Sequence, residues 1–219
     1  MTTSEMINKF RMAYDIVNLE GPGYEDEEVL MFLNQAQSIE LLKEVAIRRW
    51  SYISNLLTND VYGTITDGLL NYHRRVIPPA EKYVAYVSSK SKVTRTVFKP
   101  TSGAEWVENI PIQKERSGKY LTNANNKVIL LVPRVYEEED RTISIMHDVN
   151  TTFSGVNDFY LEYIREPNEI TLVDDCEINT ILHERIVNTA VDLGKKVFNP
   201  QEAGISQQTD KLMDNPEIT

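Results

Sequence analysis

The sequence has one cysteine, three histidines and no long apolar run, and each scarcity excludes a class of protein. A single thiol, Cys176, allows neither an internal disulfide nor a cysteine-based zinc site. No stretch approaches the ~18 consecutive apolar residues of a membrane-spanning helix. Residues 1–11 also lack the apolar core of a signal peptide. We therefore expect a protein that is made in a cytoplasm and has no membrane partner.

Basic residues are also in short supply. The chain has 23 Lys and Arg against 33 Asp and Glu, which gives a formal net charge of −10. A broad nucleic-acid footprint needs clustered cations, and so does docking on an anionic membrane. The densest basic pairs, Arg48-Arg49 and Arg74-Arg75, are expected to form salt bridges. With 41% hydrophobic and 26% charged residues over 219 positions, the chain is expected to fold around a sizeable core.

Motifs for catalysis are absent from the sequence. It has no Gly-rich phosphate loop, no GxSxG elbow and no dinucleotide fingerprint. His183-Glu184 begins like a zinc-protease helix, but Val187 occupies the position of the second histidine ligand. We expect His183 to lie at the surface or at an interface. His147 and Asp148 are neighbours at the end of a predicted strand, so their side chains point to opposite faces.

The acidic clusters have ordinary explanations. Residues 25–28 are typical of a helix start, residues 137–140 of a solvated turn, and Asp174-Asp175 of a helix cap. A magnesium site of a nuclease is the functional alternative for these clusters. The acids beside Cys176 disfavour its thiolate, so a nucleophilic role is not expected. The sequence therefore predicts no catalytic residue, no metal site and no cofactor.

Helical periodicity marks three segments. Ile7, Phe10, Tyr14 and Val17 share one face of a helix from Ser4 to about Leu19. A second helix is predicted to begin within residues 25–28 and to continue for about thirty residues. Its predicted apolar positions are Val29, Phe32, Leu33, Ala36, Ile39, Leu42, Ala46, Trp50, Ile53 and Leu57. A third helix is predicted from about Glu177 to Phe198, with Ile178, Leu182, Ile186, Ala190, Leu193 and Val197 on one face. A short helical stretch is possible around residues 67–75.

Between the second and third helices the pattern changes to short strands rich in β-branched and aromatic residues. We predict strands at 83–88, 92–98, 127–132, 142–146, 157–164 and 169–172. The fold class is therefore α+β: a helical core, made of the long helix and a returning C-terminal helix, with an inserted antiparallel β region. The predicted boundaries are 1–79 for the helical part, 80–173 for the insertion, 174–198 for the last helix and 199–219 for an extended tail.

Three stretches resemble a known family when they are taken in order. Residues 15–37 contain DIVNL, the GPGY break and then DEEVLMFLNQAQ; residues 83–95 read YVAYVSSKSKVTR; residues 159–167 read FYLEYIREP and lead to the helix LHERIVNTAV. This order is similar to that of phage head-to-tail adaptor proteins, most closely the neck ring proteins of crAss-like podoviruses. The resemblance covers residues 5–198.

The resemblance implies a structural subunit of the virion and not an enzyme. Such subunits form closed rings, commonly of twelve copies, beneath the portal protein; they extend the DNA channel and support the next ring or tail protein. Viral DNA would pass through without sequence-specific binding. The tail, residues 199–219, is polar but carries the apolar residues Ile205, Leu212, Met213 and Ile218. We expect it to bind the portal or a neighbouring subunit. The alternatives are a tail-tube or nozzle protein, a metal-dependent enzyme, and a cytoplasmic interaction protein without a virion role.

Overall fold

The computed structural model describes residues 1–17, 23–62, 65–67, 73–76, 83–96, 102–116, 132–138, 142–147, 151–153 and 159–198. The chain forms two compact units. The helical unit comprises Met1–Leu56 and Pro167–Thr219, and the β unit is Leu57–Glu166. The α+β class is confirmed, because the chain combines helices with largely antiparallel sheets, and the three long helices lie in a different unit from the strands. The predicted tail, with Ile205, Leu212, Met213 and Ile218, lies outside the described residues.

The helical unit contains helices α1 (Thr3–Val17), α2 (Asp26–Ala46) and α3 (His183–Phe198). As predicted, α2 starts in the acidic cluster. Glu25 and Glu28 form a capping box in which each side chain accepts the other residue's backbone N–H. The returning α3 packs against both α1 and α2. The apolar positions predicted for the first turns of each helix, such as Phe10, Val29 and Ile186, are buried.

Helix α2 ends eleven residues earlier than its apolar pattern predicted. Arg48 adopts a left-handed conformation with φ 54°, and the N–H of Arg49 donates to the Glu44 carbonyl at 3.0 Å. This hydrogen bond belongs to a Schellman motif, which usually has glycine in the left-handed position. Because arginine occupies this position here, no residue type in the sequence indicates the end of the helix. Two short 3-10 helices follow, Trp50–Tyr52 and Ser54–Leu56, and Leu42 of the predicted apolar face is exposed.

An aromatic cluster fills one end of the helical core. Phe10 of α1 stacks on Tyr14 and on Phe32 of α2, and the Tyr24 ring meets all three of these rings edge-on. The Tyr24 hydroxyl donates to the Gly194 carbonyl in α3 at 2.9 Å. A Cβ at Gly194 would lie 3.2 Å from the Phe10 ring, so glycine permits this close approach of α3.

Within its described residues, the β unit has ten strands in two sheets. Their bounds are β1 Leu57–Tyr62, β2 Ile65–Asp67, β3 His73–Val76, β4 Tyr83–Arg95, β5 Glu105–Glu108, β6 Ile110–Pro111, β7 Arg134–Glu137, β8 Ile143–Met146, β9 Thr151–Phe153 and β10 Phe159–Arg165. One sheet has the order β1-β10-β4-β5, with β9 also paired to β4; the other has the order β2-β3-β8-β7-β6. Every pair is antiparallel except β6 and β7.

Both sheets contribute to the core of the β unit. Phe159, Leu161 and Tyr163 of β10 and Tyr83 of β4 pack with Val135, Ile143 and Ile145 from β7 and β8. Alternate residues of β10 therefore point inward, as expected for a half-buried strand. The predicted strands at 83–88 and 92–98 are parts of one long strand, β4, and the strand predicted at 157–164 corresponds to β10.

The structure differs from the sequence predictions at four places in this part of the chain. The β unit begins at Leu57 and not at residue 80, and it ends at Glu166 and not at residue 173. The stretch predicted as helical at 67–75 includes parts of β2 and β3. Residues 169–172 form no strand. Strands β1 to β3 are short and mix charged with apolar residues, and they form because they pair with distant segments: β1 with β10, and β3 with β8.

Candidate functional site

The most concentrated group of buried charges lies between α2 and α3. Glu40 and Glu44 are one turn apart on α2, and their side chains are 2% and 0% exposed. Arg185 of α3 reaches both: Nη2 lies 2.6 Å from Glu40 Oε2, and Nη1 lies 2.5 Å from Glu44 Oε1. One guanidinium therefore lies against two buried carboxylates, and it joins the two helices through a charge-assisted hydrogen bond to Glu44 and an ion pair with Glu40. We call Glu40, Glu44 and Arg185 the ionic cluster.

Neighbouring side chains make further contacts with both carboxylates. Glu40 Oε1 accepts from Lys43 Nζ at 2.7 Å and from the Thr189 hydroxyl at 2.8 Å. Arg49 Nε lies 3.8 Å from Glu44 Oε2. Burial alone would raise the pKa of Glu40, but the hydrogen bonds and positive charges outweigh it and hold this pKa below its ordinary value. With each carboxylate neutralised by cations, the cluster stabilises the helix pair and offers no group suited to proton transfer.

The ionic cluster was not predicted from the sequence. Glu40 and Glu44 fall on the apolar side of α2, in line with Leu33, Ala36 and Leu41. An acidic pair one turn apart within an apolar stripe was the available signal, since buried carboxylates require cationic partners. The partner Arg185 is 141 residues away from Glu44 in sequence. Nothing in the local pattern could identify it.

His183 is buried, whereas the sequence predicted a position at the surface or at an interface. Its Nε2–H donates to the Ile178 carbonyl at 2.8 Å, and its Nδ1 accepts from the Met1 ammonium at 3.0 Å. Burial, reinforced by the nearby ammonium, lowers the pKa of His183 from its ordinary value. His147, at the end of β8, is also buried, and His73 lies in β3. His183 is in the helical unit, and the other two histidines are in the β unit.

Cys176 is buried against α2, where its Sγ donates to Gln37 Oε1 at 3.2 Å. Burial raises the pKa of this thiol to about 11, and the carboxylates of Glu177 and Asp175 add to the rise. The sequence prediction of a disfavoured thiolate is confirmed in direction. Burial, however, is the larger cause, whereas the sequence analysis had invoked only the neighbouring acids.

Asp174 and Asp175 do not cap the last helix. The Asp175 carboxylate accepts the backbone N–H of Thr3, the first residue of α1, at 2.6 Å. The Asp174 carbonyl accepts from the Thr3 hydroxyl at 3.1 Å. The turn before α3 is instead capped by Asn179, whose side chain accepts the N–H of Ile181. These two acids therefore tie the segment before α3 to the start of α1.

The acidic turn between β7 and β8 is described only at its ends. Glu137 is exposed, as predicted for a solvated turn. Glu138 is half-buried, accepts the Ser144 hydroxyl at 2.9 Å and lies 3.3 Å from Lys114 Nζ. These partners outweigh the effect of burial and lower the pKa of Glu138. Residues 139–140 and the side chains of Arg74-Arg75 lie outside the described part.

A hydrogen-bonded polar network is buried in the β unit. Asn109 follows β5; its Nδ2 donates to the Ser89 hydroxyl at 2.9 Å, and its Oδ1 accepts from the Ser91 hydroxyl at 2.8 Å. The Tyr86 hydroxyl lies 2.9 Å from Ser89 Oγ, and burial raises the pKa of Tyr86 to about 12. Each of these groups has a partner, so the network fixes the β4–β5 edge and leaves no reactive group.

Across the described residues, no three His, Cys, Asp or Glu side chains converge as metal ligands would. Nor is any helix in that part of the chain long and apolar enough to span a bilayer. The ionic cluster is thus the best-defined group of functional side chains, and its geometry is that of a structural clamp. Comparison with known proteins adds no relative: no family model matches the chain, and no curated protein matches it significantly in sequence.

Proposed function

We propose that this chain is a structural protein of a tailed bacteriophage. In this proposal it forms an oligomeric ring in the head-to-tail connector, links the portal to the tail and extends the DNA channel. Its location would then be the neck or tail of the virion. No catalytic step is required, because the role is to assemble and to transmit load.

The observation that carries the proposal is the order of the elements. Helices α1 and α2 and the returning α3 form one helical unit, and the whole β unit is inserted between Leu56 and Pro167. This is the arrangement that the resemblance of residues 5–198 to neck ring proteins implies. A subunit of this kind can offer the helical unit for packing between copies and the β unit for a following component.

The ionic cluster also supports a load-bearing role. Arg185 joins α3 to α2 through two short charge-assisted contacts, and Asp175 joins the segment before α3 to α1. The returning segment is therefore joined to α1 at Asp175 and to α2 at Arg185, by polar contacts that are buried or half-buried. A ring subunit held under the pressure of packaged DNA benefits from such cross-links, because they resist sliding of one helix past another.

The charge of the chain suits a DNA conduit. A channel wall with excess negative charge repels phosphates, so DNA slides along it without binding. With a net charge of −10 per copy, a ring of several copies would carry a strongly negative field. A determined ring whose lumen is uniformly positive would contradict this part of the proposal.

Negative-stain imaging of the purified full chain, alone and with portal-containing heads, tests the function. We expect closed rings, or density added beneath the portal. The chain should also be detected by mass spectrometry of purified particles, and antibody labelling should place it at the neck. Labelling at the distal end would favour a tail-tube or nozzle protein. Compact monomers that do not bind portal-containing heads, together with metal-dependent nuclease activity, would refute the structural role.

The C-terminal segment 199–219 provides a second test. We propose that Ile205, Leu212, Met213 and Ile218 bind the portal or a neighbouring subunit, because a polar segment with spaced apolar residues gains order from a partner. A chain shortened after residue 198 keeps α3 intact and should assemble poorly on portal-containing heads. Unchanged assembly of the shortened chain would overturn this binding role and leave the ring proposal standing.

A further inference from the structure

Four cationic residues lie at the surface where α2 ends and α3 begins. The side chains of Lys43, Arg49 and Arg185 are 56%, 49% and 43% exposed. All three contact the buried carboxylates of the ionic cluster, which places them together. Arg48 is exposed and precedes Arg49 in the chain. We call Lys43, Arg48, Arg49 and Arg185 the cationic patch.

The cationic patch has more positive than negative charge. Beneath its four cations lie the two carboxylates of the ionic cluster. Arg48 forms no ion pair with any residue that the structure describes. The neighbouring acid on α3, Glu184, pairs with Lys9, and the half-buried Glu177 accepts the backbone N–H of Asn168 at 3.1 Å. The patch is therefore an area of net positive charge on a chain whose formal net charge is −10.

Aromatic and aliphatic side chains border the cationic patch. The Arg49 guanidinium lies over the Tyr52 ring, 5.1 Å from its centroid, and this contact restricts the side chain. Ile47, at the end of α2, is 57% exposed, and Ile181, four residues before Arg185, is 60% exposed. Arginine and tyrosine are enriched among the residues that dominate binding energies. A matching partner therefore has carboxylates and apolar side chains in one short segment.

The C-terminal part of the chain has this combination. Within residues 210–219, acids are interspersed with aliphatic residues, and Lys211 is the single base. The acids are Asp210, Asp214 and Glu217, and the aliphatic residues are Leu212, Met213 and Ile218. Three acids and one base give this stretch a formal charge of −2. We call residues 210–219 the acidic segment; its charge is opposite to that of the cationic patch.

The acidic segment is within reach of the cationic patch on the same chain. It follows α3, which ends at Phe198, and Arg185 lies thirteen residues earlier in that helix, at a distance of about 20 Å. Asp210 comes twelve residues after Phe198. Twelve residues extend to at most about 40 Å, and a chain of that length spans about 20 Å on average. The distance therefore matches the span of the connection, which is the condition for a high effective concentration.

We propose that the acidic segment binds the cationic patch of its own chain. A tethered segment reaches an effective concentration of about 1 mM, whereas the segment of another copy approaches against the repulsion between two chains of net charge −10. The contact concerns the isolated chain and goes beyond the proposed function. It holds on its own chain the same segment that the proposed function assigns to the portal or a neighbouring subunit, so assembly has to displace it.

Disulfide trapping in the full chain tests the contact. Ser51→Cys places a thiol two residues after Arg49, on an exposed site of the first 3-10 helix, and Asn215→Cys places one in the acidic segment. The native Cys176 is buried, and burial raises its pKa to about 11, so it stays out of the exchange. Oxidised glutathione starts the reaction in dilute protein, and non-reducing electrophoresis separates intramolecular bonds from covalent dimers.

Ser4→Cys, combined with the same thiol in the acidic segment, is the matched control for reach. Ser4 is exposed on the first turn of α1, which starts beside the first turn of α3. Its surroundings are acidic, because Glu5 follows it and Asp175 binds the backbone of the preceding residue. At low salt we expect Ser51→Cys to be cross-linked at least about tenfold faster than Ser4→Cys. The difference should shrink at about 0.5 M salt, because salt screens exposed charges.

Charge variants identify the partners in this contact. Arg48→Glu reverses a cation that pairs with no described residue, and it should slow the cross-link at Ser51→Cys at least about threefold. Lys9→Glu makes the same change in charge elsewhere on the helical unit and should leave the rate unchanged. Because Arg48 has a left-handed backbone, Asp214→Asn provides a second test that does not alter the described fold. It should also slow the reaction, and Glu202→Gln is its control.

The outcomes separate this inference from the proposed function. An intramolecular cross-link that depends on salt, on Arg48 and on Asp214 supports the inference. Equal rates at Ser51→Cys and Ser4→Cys, or a rate that both charge variants leave unchanged, overturn it. Covalent dimers in place of intramolecular bonds overturn it as well, because a neighbouring copy then supplies the segment. No measurement requires a ring or a portal, so these outcomes leave the ring proposal to its own imaging test. Circular dichroism confirms that each variant is folded.

Discussion

Removal of the Arg185 guanidinium is the most informative perturbation of the helical unit. Arg185→Met keeps much of the side-chain volume and its helix propensity, but it withdraws the shared cation from two buried carboxylates. The Glu44 side chain, which is 0% exposed, then keeps only Arg49 at 3.8 Å as a cation partner. Glu40 keeps Lys43 and Thr189. The perturbation therefore falls mainly on Glu44.

The magnitude follows from the burial of that carboxylate. Removal of one partner of a buried ion pair costs about 3–5 kcal/mol of unfolding free energy, and an exposed pair is worth about 0–1 kcal/mol. The Arg185 side chain is 43% exposed, so water replaces part of what is lost. We expect a loss of about 2–3 kcal/mol.

The two tryptophans allow the helical unit to be followed separately. Trp50 lies in the helical unit and Trp106 in the β unit. In a Trp106→Phe background, fluorescence during urea unfolding reports only on the helical unit. For a domain of about 100 residues, the expected loss corresponds to a fall in Tm of about 10 °C or more.

A neighbouring residue on α3 supplies the control. Glu184 forms an exposed ion pair with Lys9 at 3.0 Å. The Lys9 side chain is 48% exposed and the Glu184 side chain is 74% exposed. Glu184→Gln should therefore change the unfolding free energy by less than about 0.5 kcal/mol. If Arg185→Met behaved like Glu184→Gln, the reasoning about buried carboxylates would be refuted.

Two further predictions concern the same unit. The pKa of Glu40 is lowered in the folded state, so its contribution to stability is present above the ordinary value of 4.5 and is lost as pH falls through the lower folded value. Urea unfolding at several pH values should show Glu40→Gln and wild type converging below pH 4.5; a constant difference would contradict this. Gly194→Ala should lower the unfolding free energy by about 1–2 kcal/mol, because its Cβ would lie 3.2 Å from the immobile Phe10 ring. Gly103→Ala, with nothing within 4 Å, is the control, and an equal effect at both sites would count against overpacking.

The sequence by itself determined the fold class and the start of each helix. Periodic apolar residues such as Phe10, Val29 and Ile186 are buried in the helical core, and the acidic cluster at residues 25–28 starts α2. These features are local, because a helix contains its own backbone hydrogen bonds and its caps lie within a few residues. For the same reason, the long strands β4 and β10 were visible as runs of β-branched and aromatic residues.

Only the tertiary structure decided where α2 ends, where the β unit begins and what pairs with the buried acids. Arg48 occupies a left-handed position that its residue type does not predict, and β1 is a strand because β10 lies beside it. Arg185 meets Glu44 across 141 residues of sequence. The physical reason is common to all of these features: a contact between residues distant in sequence leaves no periodic signal, and folding alone brings its partners together.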